Sequence, residues 1–150
     1  MTIAIGCDHN GLALKEVLLK DVLREHRVRD FGVFTQEPVD YPDIAVAVAQ
    51  AVASGEYERG ILICGTGIGM AMAANKVKGI RAAACSDVYS AKMSRRDNDA
   101  NILCFGGRVI GPGLASEIVT VWLNEPFAGG RHQRRVEKIH ALERTESEIL

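Results

Sequence analysis

The chain has 150 residues, 47% of them hydrophobic and 25% charged, with a net charge of −1 at pH 7. That composition suits one globular domain with a real core, burying roughly 70% of its unfolded surface. It excludes a broad nucleic-acid footprint, and no apolar run approaches the roughly 18 residues that a membrane helix needs.

Met1 to Gly6 carries no basic flank and reads as a first strand, Thr2 to Cys7, followed by the turn Asp8-His9-Asn10-Gly11. The next helix places Leu14, Leu18 and Val22 at i, i+4 spacing, with Val17 widening the apolar face and a basic end at Arg24, His26 and Arg27. Val28 to Phe31 reads as a second strand. A loop from Gly32 to Asp40 leads through Tyr41-Pro42-Asp43 into a helix over about 44–54, with Ile44, Val48 and Val52 on one face and Gly55 ending it.

Gly60-Ile61-Leu62-Ile63-Cys64 is a short apolar run that opens into Gly65-Thr66-Gly67-Ile68-Gly69 and then a strong helix former, Met70 to Lys76. The pattern predicts a buried strand, a tight Gly-rich turn and a helix. Gly79 to Cys85 reads as strand four, and Asp87 as the cap of a helix reaching about Arg96. After the polar break Asp97 to Asn101 comes strand five, Ile102 to Phe105. Gly111-Pro112-Gly113 opens a helix expected to bury Leu114, Ile118, Val121 and Trp122. Pro126 to Gly130 is a linker, and the charged, helix-prone tail from Arg131 is expected to pack against a partner subunit. Strands alternating with helices predict βαβ units and a doubly wound parallel sheet, whose ligands bind outside the carboxyl ends of the strands.

Cys7, Cys64, Cys85 and Cys104 are widely spaced, with no CxxC pair and no Cys/His ligand spacing. They predict reduced thiols, a cytoplasmic location and no structural zinc. The turn after strand three would aim backbone N–H groups and a helix N-terminus at an anion, and Cys64 at the strand's end would sit in the same field, where thiolate is favoured. Taken separately, the turn can be only a turn and Cys64 only a small buried hydrophobe. His9 beside Asp8 can face a substrate oxygen or be a turn histidine. Arg131 and Arg135, at i, i+4 in the densest basic cluster, would present two guanidiniums suited to one phosphate, or a solvated helix face. The residues themselves reach as far as an α/β domain that binds a small anionic ligand, with a thiol in the site.

Taken together, Gly6-Cys7-Asp8-His9-Asn10-Gly11, Asp40-Tyr41-Pro42, Cys64 to Gly69, Ala74-Asn75-Lys76 and Gly129-Gly130-Arg131-His132-Gln133-x-Arg135 resemble the ribose-5-phosphate isomerase B family, from residue 2 to about 143. That family also includes galactose-6-phosphate and allose-6-phosphate isomerases. The resemblance implies a three-layer α/β/α Rossmann-like fold, a five-stranded parallel sheet with an order beginning 2-1-3, and a C-terminal helical extension over about 126–150. It implies a metal-free, cofactor-free aldose–ketose isomerase working through a cis-enediolate. Cys64 would be the base, and Thr66 with the turn Gly65, Gly67 and Gly69 would face the enediolate oxygen. Asp8 and Tyr41 would hold substrate hydroxyls; His9, Arg108, Arg131 and Arg135 would hold the phosphate. The site would lie between the subunits of a homodimer, or of dimers paired into a tetramer, with the segment around Asn98 reaching across.

One residue departs from the family pattern. Members acting on ribose 5-phosphate usually carry a ring-opening histidine immediately before the asparagine that is Asn98 here; this chain has Asp97. An exposed aspartate, ordinarily titrating near about 3.9, cannot readily donate a proton to a ring oxygen, although it can take one from the anomeric hydroxyl. Two expectations follow: ribose 5-phosphate with Asp97 as a poorer substitute, or a substrate that does not cyclise, such as a tetrose 4-phosphate. A hexose 6-phosphate, and a regulator that binds a sugar phosphate without needing Cys64, are the remaining alternatives. A nicotinamide enzyme would need a dinucleotide fingerprint, which the sequence lacks.

Overall fold

The computed structural model describes residues 1–144. The elements run β1 (Thr2–Cys7), a 3₁₀ turn (His9–Gly11), α1 (Leu12–Lys20), β2 (Arg27–Asp30), α2 (Tyr41–Ala53), β3 (Arg59–Cys64), α3 (Ile68–Ala74), β4 (Ala82–Ala84), α4 (Val88–Arg96), β5 (Ile102–Gly106), α5 (Pro112–Asn124) and α6 (Arg131–Ala141). The five strands form one parallel sheet in the order β2-β1-β3-β5-β4. Connections leave β1 in one direction to β2 and pass in the other to β3, so the sheet reverses its winding between β1 and β3. In a doubly wound sheet this is where a crevice opens at the carboxyl ends.

Period-two alternation divides the core. Ile3, Ile5 and Cys7 of β1, Ile61 and Ile63 of β3 and Leu103 and Phe105 of β5 face the layer containing α1, α4 and α5. Ala4, Leu62, Cys64, Ile102 and Cys104 face α2 and α3. Both faces are covered, which explains why the central strands read as continuous apolar runs. Phe105 and Trp122 are completely buried, and a side chain such as Phe105 contributes about 3 kcal/mol by leaving water. No helix of the described residues is long and apolar enough to cross a membrane.

Several expectations change in detail. The first helix stops at Lys20; its predicted basic end lies in turns, and Arg27 opens β2. The core-facing residues of α1 are Leu14, Lys15 and Leu18, so Val17 is turned outward and is 39% exposed. Lys15 is inside because its ammonium meets Asp30 Oδ1 at 2.8 Å and the Val33 carbonyl, under the Phe34 ring. In α5 the buried stripe is Ala115, Ile118, Val119, Trp122 and Leu123. Leu114 falls one position off it and is exposed, and Val121 is only partly covered. β4 keeps just three residues, because Asn101 takes the polar groups before it, accepting from Arg81 N and donating to Gly79 O. The Asn75 side chain closes the outer edge of β4, bonding both N and O of Ala82.

The C-terminal extension is tied to its own chain. Val136 is buried, Ala128 N donates to Arg96 O, and Glu143 accepts from Gly79 N while its other oxygen faces His140. Residues 145–150 of the expected extension lie outside the described residues.

Breaking a buried ion pair on one side leaves the other charge uncompensated. Lys15→Met is therefore expected to lower the unfolding free energy by about 3 kcal/mol in urea titrations. Lys15→Met/Asp30→Leu should recover part of that loss.

Candidate active site

Three loops meet at the carboxyl end of the sheet. Asp8 N donates to Ile63 O at 3.1 Å, Gly107 N to Cys64 O at 2.7 Å and Arg108 N to Gly65 O at 3.1 Å. These bonds bring the β1 loop, with Asp8 and His9, and the β5 loop, with Arg108, against the turn Cys64 to Gly69. Asp8 is buried and caps the 3₁₀ turn, its Oδ1 accepting from Asn10 N at 2.9 Å. His9 Nδ1 is buried without a protein partner. Arg108 is exposed at the rim.

The turn itself depends on backbone that side chains would obstruct. Gly67 has φ +82°, and a Cβ there would lie 2.6 Å from the Phe105 backbone. A Cβ on Gly69 would meet the Tyr41 ring at 2.5 Å, so Tyr41, at the start of α2, lies directly on the first turn of α3. Cys64 Sγ accepts from Gly67 N at 3.1 Å, and Thr66 Oγ1 accepts from Ile68 N at 3.2 Å, which leaves the exposed Thr66 hydroxyl hydrogen free to donate outward. A thiol, a hydroxyl and first-turn amides around one opening suit proton abstraction beside a carbonyl whose oxygen becomes negative.

The other cysteines lie elsewhere. Cys7, although it precedes Asp8, points to the opposite face of the sheet from Cys64, is fully buried and packs against the Val33 carbonyl. Burial pushes its thiol up to about 11, and does the same to Cys85. Cys104, enclosed completely, is driven well above the ordinary thiol range.

The remaining site residues are not here. Asp97 caps the C-terminus of α4 and Asn98 follows it, at the amino end of β5, whereas Cys64 pairs with Gly106 at the carboxyl end. Arg131 and Arg135 project from α6, which the Arg81–His140 contact and the Glu143–Gly79 bond hold near the amino end of β4. One chain thus carries the residues expected at the site in two groups at opposite ends of its sheet. Asp97, expected as an exposed carboxylate, is half-buried, with Oδ1 3.5 Å from His132 Nε2. In the sequence His132 belongs to the motif Gly129 to Arg135 with no role assigned to it; nothing in the spacing linked it to a residue thirty-five positions earlier. Among the described residues, no three His, Cys, Asp or Glu side chains are grouped so as to hold a metal ion.

The model of the ribose/galactose isomerase family matches residues 3–139. The chain belongs to the ribose/galactose isomerase family. It is 54% identical to ribose-5-phosphate isomerase B of Escherichia coli, over 94% of this chain and 95% of that one. It is 46% identical to D-erythrulose-4-phosphate isomerase of Pectobacterium atrosepticum, over 97% of each. The structure of Clostridium thermocellum ribose-5-phosphate isomerase B superposes with a TM-score of 0.93 at 54% identity, covering 95% of this chain and 97% of that one. The isomerase class and the three-layer fold follow: this is a sugar-phosphate isomerase of the ribose-5-phosphate isomerase B type.

Two outcomes test the geometry. Gly67→Ala should destabilise the fold by about 2 kcal/mol or more, because a methyl there is strained and meets backbone; Gly69→Ala meets only a side chain that can swing away, and should spare stability while raising KM. Iodoacetamide at pH 7.5 should leave Cys7, Cys85 and Cys104 unmodified in the native protein, as peptide mass mapping would show, because burial holds the Cys7 and Cys85 thiols up at about 11 and drives the Cys104 thiol well above the ordinary range.

Proposed function

We propose that the chain interconverts D-ribose 5-phosphate and D-ribulose 5-phosphate in the cytoplasm, without a metal or cofactor, through a cis-enediolate with Cys64 as the base. The observation that carries this reading is the Cys64 thiol at the mouth of the β1/β3 crevice, receiving the Gly67 N–H. As thiolate, Sγ removes the proton from C2 of the open-chain aldose; the C2–H electrons form the C1=C2 bond, and the carbonyl oxygen becomes the enediolate oxygen. Thr66 Oγ1 and the amides of the Gly65, Gly67 and Gly69 turn face that oxygen. Return of the proton to C1, with transfer of the O2 hydroxyl proton to O1, completes the ketose. Asp8 and Tyr41 hold substrate hydroxyls, and His9 and Arg108 approach the phosphate from the same chain.

The site is completed by a second copy of the chain in a homodimer, which supplies Asp97, Asn98, Arg131 and Arg135. Their separation from Cys64 within one chain supports this, since no side chain spans the length of β5. So does a recess of about 470 Å³ at the amino edge of β4, lined by Asn75, Arg81, Asn98, Ile139 and Leu142, the last 83% exposed. Ile68 and Met72 of α3 are large apolar side chains left exposed as well.

A second reading, a tetrose 4-phosphate as substrate, draws on Asp97 and on the Pectobacterium relative. Its only ring-closing hydroxyl is esterified, so it needs no ring-opening acid. Initial rates on D-ribose 5-phosphate and D-erythrose 4-phosphate decide between them. Fast pentose turnover that drops on the order of 10³-fold in Cys64→Ala supports the first reading. A strong tetrose preference with the same drop supports the second, and turnover indifferent to Cys64→Ala would refute both.

A further inference from the structure

Asp97 and His132 belong to different elements, yet the backbone holds them together. Ala128 N donates to Arg96 O at 3.0 Å, tying the segment before α6 to the end of α4, and His132 N donates to Gly129 O at 3.0 Å. The imidazole is only 14% exposed, with Nε2 3.5 Å from Asp97 Oδ1. This is a seated pair, unlike the surface contact of Arg24 with Glu25, where both side chains are more than 70% exposed. Asn98 adjoins it in sequence, and Arg135 lies one turn along α6 from His132. Among these groups, arginine stays charged and asparagine does not titrate, and a carboxylate only accepts. The imidazole is the one that carries both an N–H to give and a ring nitrogen to take a proton.

A pentose 5-phosphate exists mainly as a furanose hemiacetal, whereas proton abstraction at C2 starts from the open-chain aldehyde. Opening breaks the C1–O4 bond, adds a proton to the ring oxygen and removes one from the anomeric hydroxyl. We propose that the Asp97–His132 pair performs this step, with His132 as the proton donor to the ring oxygen. Asp97 accepts the anomeric proton; the O–H electron pair becomes the C1=O bond, and the C1–O4 pair stays on O4. The proton gained by Asp97 then passes to His132 across their contact, which restores the pair without a further reagent. The inference rests on the isomerase reading above, in which these residues come from the partner subunit. It differs from an assignment to Asp97 alone by placing an N–H donor beside the carboxylate acceptor.

The test compares kcat/KM for D-ribose 5-phosphate, which cyclises, with that for D-erythrose 4-phosphate, which cannot close the same ring. His132→Asn should raise the tetrose-to-pentose ratio roughly tenfold or more by loss of pentose turnover. Asp97→Asn, which preserves the shape of the carboxyl group, should move it in the same direction. Tetrose turnover reports in each variant whether the fold and the Cys64 chemistry persist. An unchanged ratio in both variants, whether the two rates fall together or neither falls, would overturn the inference. So would a wild-type enzyme that turns over the tetrose alone, which leaves the isomerase class intact. A wild type inactive on both sugars removes the pentose and tetrose readings, and the inference with them, while the isomerase class stands.

Discussion

The bonds from Asp8 N, Gly107 N and Arg108 N to the carbonyls of Ile63, Cys64 and Gly65 clamp one short turn from both sides. Each such bond contributes only about 1 kcal/mol net to stability. Their larger effect is positional, because all three donors are main-chain groups whose places follow from strand register and not from rotamers. Cys7 pairs with Ile63, and Cys64 with Gly106, so the loops after β1 and β5 arrive at the turn after β3 at one height. The thiol, the Thr66 hydroxyl, Asp8 and His9 all depend on that clamp, and chemistry that needs reacting atoms within about 3–3.5 Å tolerates little slack.

The sheet also assigns the cysteines their parts. Cys7 and Cys64 end adjacent strands, but the alternation of side chains sends them to opposite faces. Cys7 faces α1 and α5 and is a filler whose thiol burial keeps protonated. Cys64 faces α2 and α3, where its Sγ accepts from Gly67 N just before the α3 N-terminus. A one-residue shift in β3 register would exchange the face it occupies.

The second constraint is at the other end of the molecule. Arg81, His140, Glu143 and the Gly79 amide form a chain of contacts that fixes α6 on the amino edge of β4. α6 in turn carries Arg131, His132 and Arg135 as one rigid unit. In the proposed dimer, where such a unit from a partner completes the site, substrate affinity would depend on assembly.

The alternation of apolar runs with helical stripes determined the α/β class, the parallel sheet and all five strands, because buried central strands and amphipathic helices leave periodicities that local sequence records. The Gly-rich turn and Cys64 were legible for the same reason: a strand, a positive-φ position and a helix start are adjacent in the chain. Helix starts were legible where a local cap exists, as with Asp87, whose Oδ1 accepts from Ser90 N. Where a distant group decides, local pattern misled: Lys15 turned inward for Asp30 and Val33, which displaced Val17, and Trp122 with Val119 and Leu123 set the α5 stripe that excludes Leu114. The tertiary structure alone decided that Cys7 and Cys64 part company, that Arg131 and Arg135 of α6 lie a sheet's length from Cys64, and that Asp97 meets His132. Each of these depends on how elements far apart in sequence pack, and pairwise geometry of that kind leaves no periodicity for a single sequence to display.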